Sequence, residues 1–206
     1  MTKLFIAIAL FVTSLVCAQG QFEQGMGKAF QLWEEGKNGE ASDMFERIAS
    51  AEKTSWLPNY YVALVNTTEA FNPANKDKVT VLLDKANAAL DIELAKNPNN
   101  AELLVVQAMA KTALLVSNPM AYGMTLSPKI AEIYMHASML APENPRVVLC
   151  KADFEIGGAK WTGADVKQLC GQVGKSIDLF AKFKPETPFS PKWGLDRATE
   201  VLKGCK

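Results

Sequence analysis

The sequence predicts an all-α fold, a superhelical array of antiparallel helix hairpins, on the strength of three observations. Apolar residues recur every three or four positions along most of the chain, which is the period of an amphipathic helix. Pro and Asn interrupt this pattern at 97–100 and again at 141–145, where one helix stops and another starts. Of the 206 residues, 49% are hydrophobic and 21% are charged, a composition that indicates a folded core. We therefore expect one helical domain over 19–206.

The N-terminus has the pattern of a secretory signal peptide over 1–18. Lys3 is its only charge, an apolar run follows over 4–16, and small residues stand before Gln19. The run is shorter than the ~20 apolar residues of a membrane-spanning helix. We predict cleavage after Ala18, a periplasmic or secreted mature protein, and no integral membrane segment after cleavage. Lipidation at Cys17 is the rival interpretation, which Val16 in the preceding position disfavours.

Each predicted helix is bounded by breakers. In the first half, Gly36 ends the first helix and Asp77 is the expected N-cap of the fourth. In the second half, Pro128 is expected in the first turn of its helix. Short turns between successive helices give antiparallel hairpins, roughly four of them and a closing helix. The predicted helices are 22–35, 40–53, 59–71, 77–96, 101–116, one starting near Pro128, 145–156, 164–183 and 191–204, with loops at 71–76, 118–127, 157–163 and 184–188.

Small and aromatic residues of the first hairpin resemble the tetratricopeptide repeat (TPR) family, in which small side chains let paired helices approach closely. The residues at the family's spacing are Ala29, Leu32, Gly36, Ala41, Phe45 and Ile48. The repeat starts Pro58, Ala101 and Pro145 lie 43 and 44 residues apart, a longer period than the family's, which is about 34. The stretch 191–194, with Leu202 and Cys205, resembles the ending of secreted repeat proteins of Bacteroidota, which implies export.

Three cysteines remain after signal cleavage, and an oxidising compartment permits one disulfide among them. The midpoints of two pairs fall in predicted turns, so Cys170–Cys205 and Cys150–Cys170 are both open. We favour Cys170–Cys205, because it would fix the chain end, and three free thiols are the other alternative. Widely spaced cysteines with only His136 beside them do not give a zinc site. We predict neither a metal nor a cofactor.

Charge and catalytic residues narrow the function classes. The 22 basic and 22 acidic residues cancel, so nothing indicates a nucleic-acid partner. One histidine cannot supply a Ser-His-Asp or Cys-His set. The glycines at 157–163 lack the spacing of a phosphate-binding loop. We therefore expect a protein that is not an enzyme.

The family resemblance implies a concave binding surface lined by the first helix of each hairpin. Asn side chains on such a surface can both donate to and accept from a peptide backbone, and Arg146 can take a carboxylate. The alternative is that these residues are solvated or pack on the neighbouring helix. Carried over by spacing, the candidate lining residues are Asn59, Val62, Asn66, Glu69, Glu102, Val105, Met109, Arg146 and Asp153.

Three hypotheses follow, in decreasing order of preference. The first is an exported scaffold that binds a protein or peptide partner. The second is a carrier of a small apolar ligand in a pocket between hairpins, since adaptable methionines suit such surfaces. The third, an enzyme, needs a pocket carboxylate with a raised pKa, and none can be identified. The residues behind the carrier hypothesis are Met109, Met120, Tyr122, Met124, Met135 and Met139.

Overall fold

The computed structural model describes residues 20–205, and within that range it contains nine α-helices, one 3₁₀ helix and no strand. The predicted signal peptide lies outside the described residues. A 3₁₀ helix at Pro73–Lys78 precedes the fourth α-helix. The α-helices are α1 (20–34), α2 (Asn38–Ala51), α3 (Leu57–Phe71), α4 (Val79–Lys96), α5 (Ala101–Ser117), α6 (Pro119–Leu140), α7 (Pro145–Thr162), α8 (Val166–Lys182) and α9 (Leu195–Gly204).

The helices form an array of four hairpins, α1–α2, α3–α4, α5–α6 and α7–α8, closed by α9. Each helix packs on the next, and α3, α5 and α7 also pack on one another in succession. Rings of Phe30 on α1 and Tyr61 on α3 are 4.6 Å apart, which extends the succession to the first hairpin. We call the side of the array formed by α1, α3, α5 and α7 the inner face. The predicted all-α hairpin array is confirmed.

Asparagine side chains cap the first helices of the third and fourth hairpins, as the Pro and Asn residues at 97–100 and 141–145 predict. The side chain of Asn100 accepts hydrogen bonds from the backbone N–H groups of Glu102 and Leu103 at the start of α5. Asn144 caps α7 in the same way, through the N–H groups of Arg146 and Val147. These caps satisfy N–H groups that have no partner within the helix.

The predicted loop at 118–127 is wrong, because this stretch is helical. Asn118 accepts from the N–H of Ala121 at 3.2 Å, Pro119 takes the first turn, and α6 continues to Leu140. Pro128 therefore lies inside α6 rather than at its start. A proline in this position leaves the carbonyl of Met124 without its helical donor. Met124 is 91% exposed, so solvent can bind that carbonyl and the helix continues.

Two further boundaries differ from the prediction. Residues 157–163 are not a loop, since α7 continues through Gly157 and Gly158 to Thr162. Packing of the buried Ala159 outweighs the low helix propensity of these glycines. Gly163, at φ +72°, ends the helix in the left-handed conformation. Asp77 is not the cap of α4, because the 3₁₀ helix extends past it to Lys78.

Two of the three apolar cores among the described residues meet near the inner face. The first half has an aromatic core, in which the ring of Phe30 lies 5.4 Å from Phe45. The second half has a largely aliphatic core around Ile130 and Leu149. Trp193, from the connection between α8 and α9, packs against both cores. No helix in the described part of the chain is long and apolar enough to cross a bilayer.

Candidate functional site

The connection between α8 and α9, residues 183–194, lies along the inner face, and we call it the strap. It has no regular secondary structure. The hydroxyl of Tyr61 donates to the backbone carbonyl of Phe189 at 2.7 Å. The indole N–H of Trp193 donates to the hydroxyl of Tyr60, also at 2.7 Å. The ring of Phe189 stacks on Phe30 at 6.0 Å. The strap therefore reaches from the last hairpin to the first.

The two ends of the strap are held by α7 and α8. The ring of Phe183 covers the guanidinium of Arg146 at 4.4 Å, a cation–π contact. Gly194 has φ +116°, and a Cβ there would lie 2.6 Å from the Phe180 ring. A larger residue at 194 would clash with the Phe180 ring, so the ring or the strap would have to move. The inner face is thus occupied by the chain itself.

Arg146, a candidate for carboxylate binding, is fully buried beneath the strap. Its Nε and Nη2 donate to the carboxylate of Glu102 at 2.7–2.9 Å. Asn144 donates to the same carboxylate at 2.6 Å. Burial acts to lower the pKa of Arg146, and the hydrogen bond and charge of Glu102 outweigh it, so the pKa is raised. Its Nη1 has no hydrogen-bond partner among the described residues.

The other candidate lining residues also have intrachain partners. Val62 and Val105 are core residues, and Met109 is half-buried between the two cores. Hydrogen bonds join the polar ones to neighbouring helices: Asn59 to Glu93, Asn66 to Ser42 and Glu69 to Asn38 connect consecutive helices, and an ion pair from Asp153 to Arg197 connects α7 to α9. These residues connect neighbouring elements, and a binding role for them stays a prediction.

Cys170 on α8 and Cys205, the residue after α9, form a disulfide with Cα atoms 5.9 Å apart. This is the pairing that we favour from the sequence. It closes a loop that contains the strap. Cys150 is a free, buried thiol, and burial raises its pKa, so the reactive thiolate is disfavoured.

A second surface is open, at the end of the array where the α5–α6 and α7–α8 turns lie, and we call it the turn edge. Both turns join the first helix of a hairpin to the second, so they lie at the same end. Met120 is 98% exposed and Trp161 80%, unusual values for large apolar residues. The exposed apolar residues of the turn edge are Val116, Met120, Met124, Trp161 and Val166.

The turn edge is also basic, although the whole chain is neutral. The ammonium of Lys160 lies 4.9 Å from the centre of the Trp161 ring. Asp165 is the only acidic residue in the two stretches 111–129 and 158–168. Lys160 and Lys167 are the lysines beside the α7–α8 turn, whereas Lys111 and Lys129 lie about 9 and 15 Å along their helices from the α5–α6 turn. The surface thus combines apolar area with positive charge.

Neither surface groups the side chains of a metal site among its described residues. Among residues 20–205, no three His, Cys, Asp or Glu side chains are grouped so that they could hold a metal ion. A cleft of about 240 Å³ lies between the strap and the first two hairpins, lined by Phe22, Leu57, Pro188 and Phe189 among others. The lining is mostly apolar, which suits contact with apolar groups.

This architecture is a TPR-like helical-repeat fold with its inner face filled. The HusA haemophore from Porphyromonas gingivalis has a similar structure, with a TM-score of 0.80 and 22% identity over 90% of this chain and 92% of that one. A thermophilic TPR protein of Thermus thermophilus aligns with a TM-score of 0.54 and 14% identity, over 89% of this chain and 98% of that one. Both likenesses show the fold. No protein-family model and no curated protein sequence matches the chain.

Proposed function

We propose that this protein is an exported, non-catalytic binding protein whose ligand is an apolar small molecule of the tetrapyrrole class. The observation that carries the proposal is the similarity to a haemophore, which extends over nine-tenths of both chains. The carrier hypothesis thereby moves ahead of the peptide scaffold.

The turn edge supplies chemistry that suits such a ligand. A tetrapyrrole of the haem type is a flat apolar plate that carries carboxylates. Trp161 and the thioethers of Met120 and Met124 offer accessible, polarizable contact area. Lys160 and Lys167 are placed in the same region to attract the carboxylates.

The disulfide supports export. Disulfides persist in oxidising compartments and are rare in the cytosol, where thiols are kept reduced. Cys170–Cys205 is such a bond. The predicted signal peptide over 1–18 leads to the same compartment.

Haemin titration of the mature chain, residues 19–206, tests the proposal. We expect saturable binding that shifts the haemin absorbance band and quenches tryptophan fluorescence. Trp161→Ser should weaken binding at least about tenfold, the loss of one stacking contact. Val81→Ser, at an exposed apolar residue of the second hairpin, is the matched control and should bind like the wild type. A non-saturable titration of the wild type would overturn the proposal.

A scaffold for a protein or peptide partner is the second candidate function. The TPR protein from Thermus supports it at the level of the fold. A specific observation also favours it: the inner face already holds an extended segment of polypeptide, the strap.

A further inference from the structure

We propose that the inner face is a docking surface for an extended peptide, and that the strap is a built-in occupant which a partner segment of matching chemistry displaces. This inference rests on the second candidate function and is independent of tetrapyrrole binding. It assigns the surface, the kind of partner and the competition between partner and strap.

The strap is held in the way that an extended peptide ligand is held. Its contacts combine a hydrogen bond to the main chain, from Tyr61 to the carbonyl of Phe189, with aromatic side chains seated among the first helices. Residues 184–188 are exposed for the most part, whereas Pro191 is buried and Trp193 half-buried. A few anchors, separated by solvent-exposed chain, thus hold the segment.

The anchors specify what a partner must supply. Phe189 and Trp193 lie four residues apart, so the partner needs two aromatic residues at that spacing. The first presents its backbone carbonyl to the hydroxyl of Tyr61. The second is a tryptophan, because the Tyr60 oxygen accepts a hydrogen bond from an indole N–H.

A third position gives a partner its advantage over the strap. Phe183, six residues before Phe189, covers Arg146 without offering a hydrogen-bond acceptor. The buried Nη1 of Arg146 also has no hydrogen-bond partner among the described residues. A carboxylate at this position would accept from Nη1 in a charge-assisted bond. The preferred partner has an acidic residue, an aromatic residue six positions later, and a tryptophan four positions after that.

The cleft beside the strap is a place where a partner can begin to displace it. The covalent attachment of the strap at both ends lets it rebind afterwards. The cleft beside Pro188 and Phe189 leaves apolar surface of the first hairpins uncovered next to the strap. The Cys170–Cys205 disulfide joins α8, which precedes the strap, to the residue that follows α9, so the strap lies within a closed loop of the chain. A displaced strap stays at high effective concentration and rebinds when the partner leaves.

Synthetic peptides test the proposal directly. The parent peptide has the sequence of 183–194, Phe-Lys-Pro-Glu-Thr-Pro-Phe-Ser-Pro-Lys-Trp-Gly. A second carries Phe183→Asp, and a third carries Phe189→Ala and Trp193→Ala. Their affinities are measured by fluorescence anisotropy against the mature protein and against its Phe189→Ala variant. We expect the variant to bind the parent peptide at least about tenfold more tightly than the wild type does, the Asp peptide more tightly still, and the double-Ala peptide not measurably.

Controls separate displacement from unfolding. Circular dichroism and a melting curve establish that the Phe189→Ala variant is helical and cooperative. Glu186→Ala, at an exposed strap residue, should bind the peptides like the wild type. If Phe189→Ala does not fold, Phe183→Ala takes its place, since it releases the strap end over Arg146 and leaves the aromatic slots intact. A folded variant that binds none of the peptides, or binds all three equally, overturns the proposal. If a native partner binds and no substitution in the strap alters its affinity, the scaffold function stands but the inner face is not the docking site.

Discussion

The inner face and the turn edge differ in what covers them. On the inner face, Tyr60, Tyr61 and Arg146 are covered by the strap or paired with neighbouring helices. At the turn edge, Met120 and Trp161 stand in solvent with no segment over them among the described residues. The residues carried over from the family resemblance therefore have partners within the chain, whereas the exposed apolar residues mark a surface that no described segment covers. The following variants test how far this division holds.

The largest expected effect is at the buried ion pair of the inner face. Glu102→Ala leaves the Arg146 guanidinium buried without a carboxylate, since Arg146 has no exposed surface. Removing one partner of a buried pair costs about 3–5 kcal/mol in the free energy of unfolding. Urea denaturation followed by circular dichroism measures this loss.

Asp153→Ala is the matched control. Asp153 pairs with Arg197 at the same 44-residue offset that separates Glu102 from Arg146. Arg197 is 52% exposed and Asp153 29%, so solvent replaces the lost partner. We expect a loss of at most about 1 kcal/mol. Equal losses in the two variants would mean that burial under the strap does not distinguish the pairs.

The disulfide gives the next largest effect. Replacing both cysteines, Cys170→Ser with Cys205→Ser, removes a link across 35 residues of chain. Such links typically stabilise by about 2–4 kcal/mol, largely by restricting the unfolded chain. The melting temperature of the double variant should fall, and wild type held under reducing agent should match it. A wild type that melts at one temperature with and without reductant would contradict this.

Tyr61→Phe removes both the hydrogen bond to the Phe189 carbonyl and the ionisable hydroxyl of Tyr61. Measuring stability against pH tells the two contributions apart. Burial raises the pKa of Tyr61 above its ordinary value of 10.0. The folded state therefore keeps its proton while the unfolded state loses it, and stability falls as pH rises above about 10. The slope for one such tyrosine is about 1.4 kcal/mol per pH unit at most.

Tyr61→Phe should lose the contribution of Tyr61 to the fall in the free energy of unfolding above about pH 10. At neutral pH it should lose only the bond to the Phe189 carbonyl, about 0.5–1.5 kcal/mol. Tyr60 and Tyr134 are buried with raised pKa values, so a smaller slope remains in the variant. Urea denaturation at a series of alkaline pH values measures both quantities. An unchanged slope would show that Tyr61 ionises freely in the folded state.

Local sequence patterns predicted the helices and their order. The features that could not be predicted depend on packing between residues far apart in the sequence. Asn100 and Asn144 cap the helices that follow them, as their position before an apolar stripe indicates. Gly157 was interpreted as the start of a loop and Pro128 as the first turn of a helix, yet both lie in the interior of helices, because neither position prevents the helix from packing. Tertiary contacts thus outweigh the low helix propensity of single residues.

The strap was predicted only as a turn at 184–188 followed by helix, although its sequence held a signal. Phe189, Pro191 and Trp193 form an apolar cluster next to Gly194, too short for a helix and too apolar for a solvated loop. Such a cluster indicates a segment that packs on a surface formed elsewhere in the chain. Periodicity could not say which surface, because the contacts with Tyr60 and Tyr61 span 133 and 128 residues.

The smallest expected effect on stability is at the turn edge, where the largest effect on ligand binding is expected. Met120→Ser with Met124→Ser removes two exposed side chains from one turn of α6, so unfolding free energy should change by no more than about 0.5 kcal/mol. Met135→Ser with Met139→Ser makes the same change, at the same spacing, at the other end of α6. If the turn edge binds the tetrapyrrole, the first pair should weaken haemin binding and the second should leave it unchanged.

Equal weakening by both pairs would make the whole exposed side of α6 the ligand surface. If neither pair weakens a saturable wild-type interaction, the ligand lies away from the methionines, and the apolar cleft beside the strap becomes the surface to test.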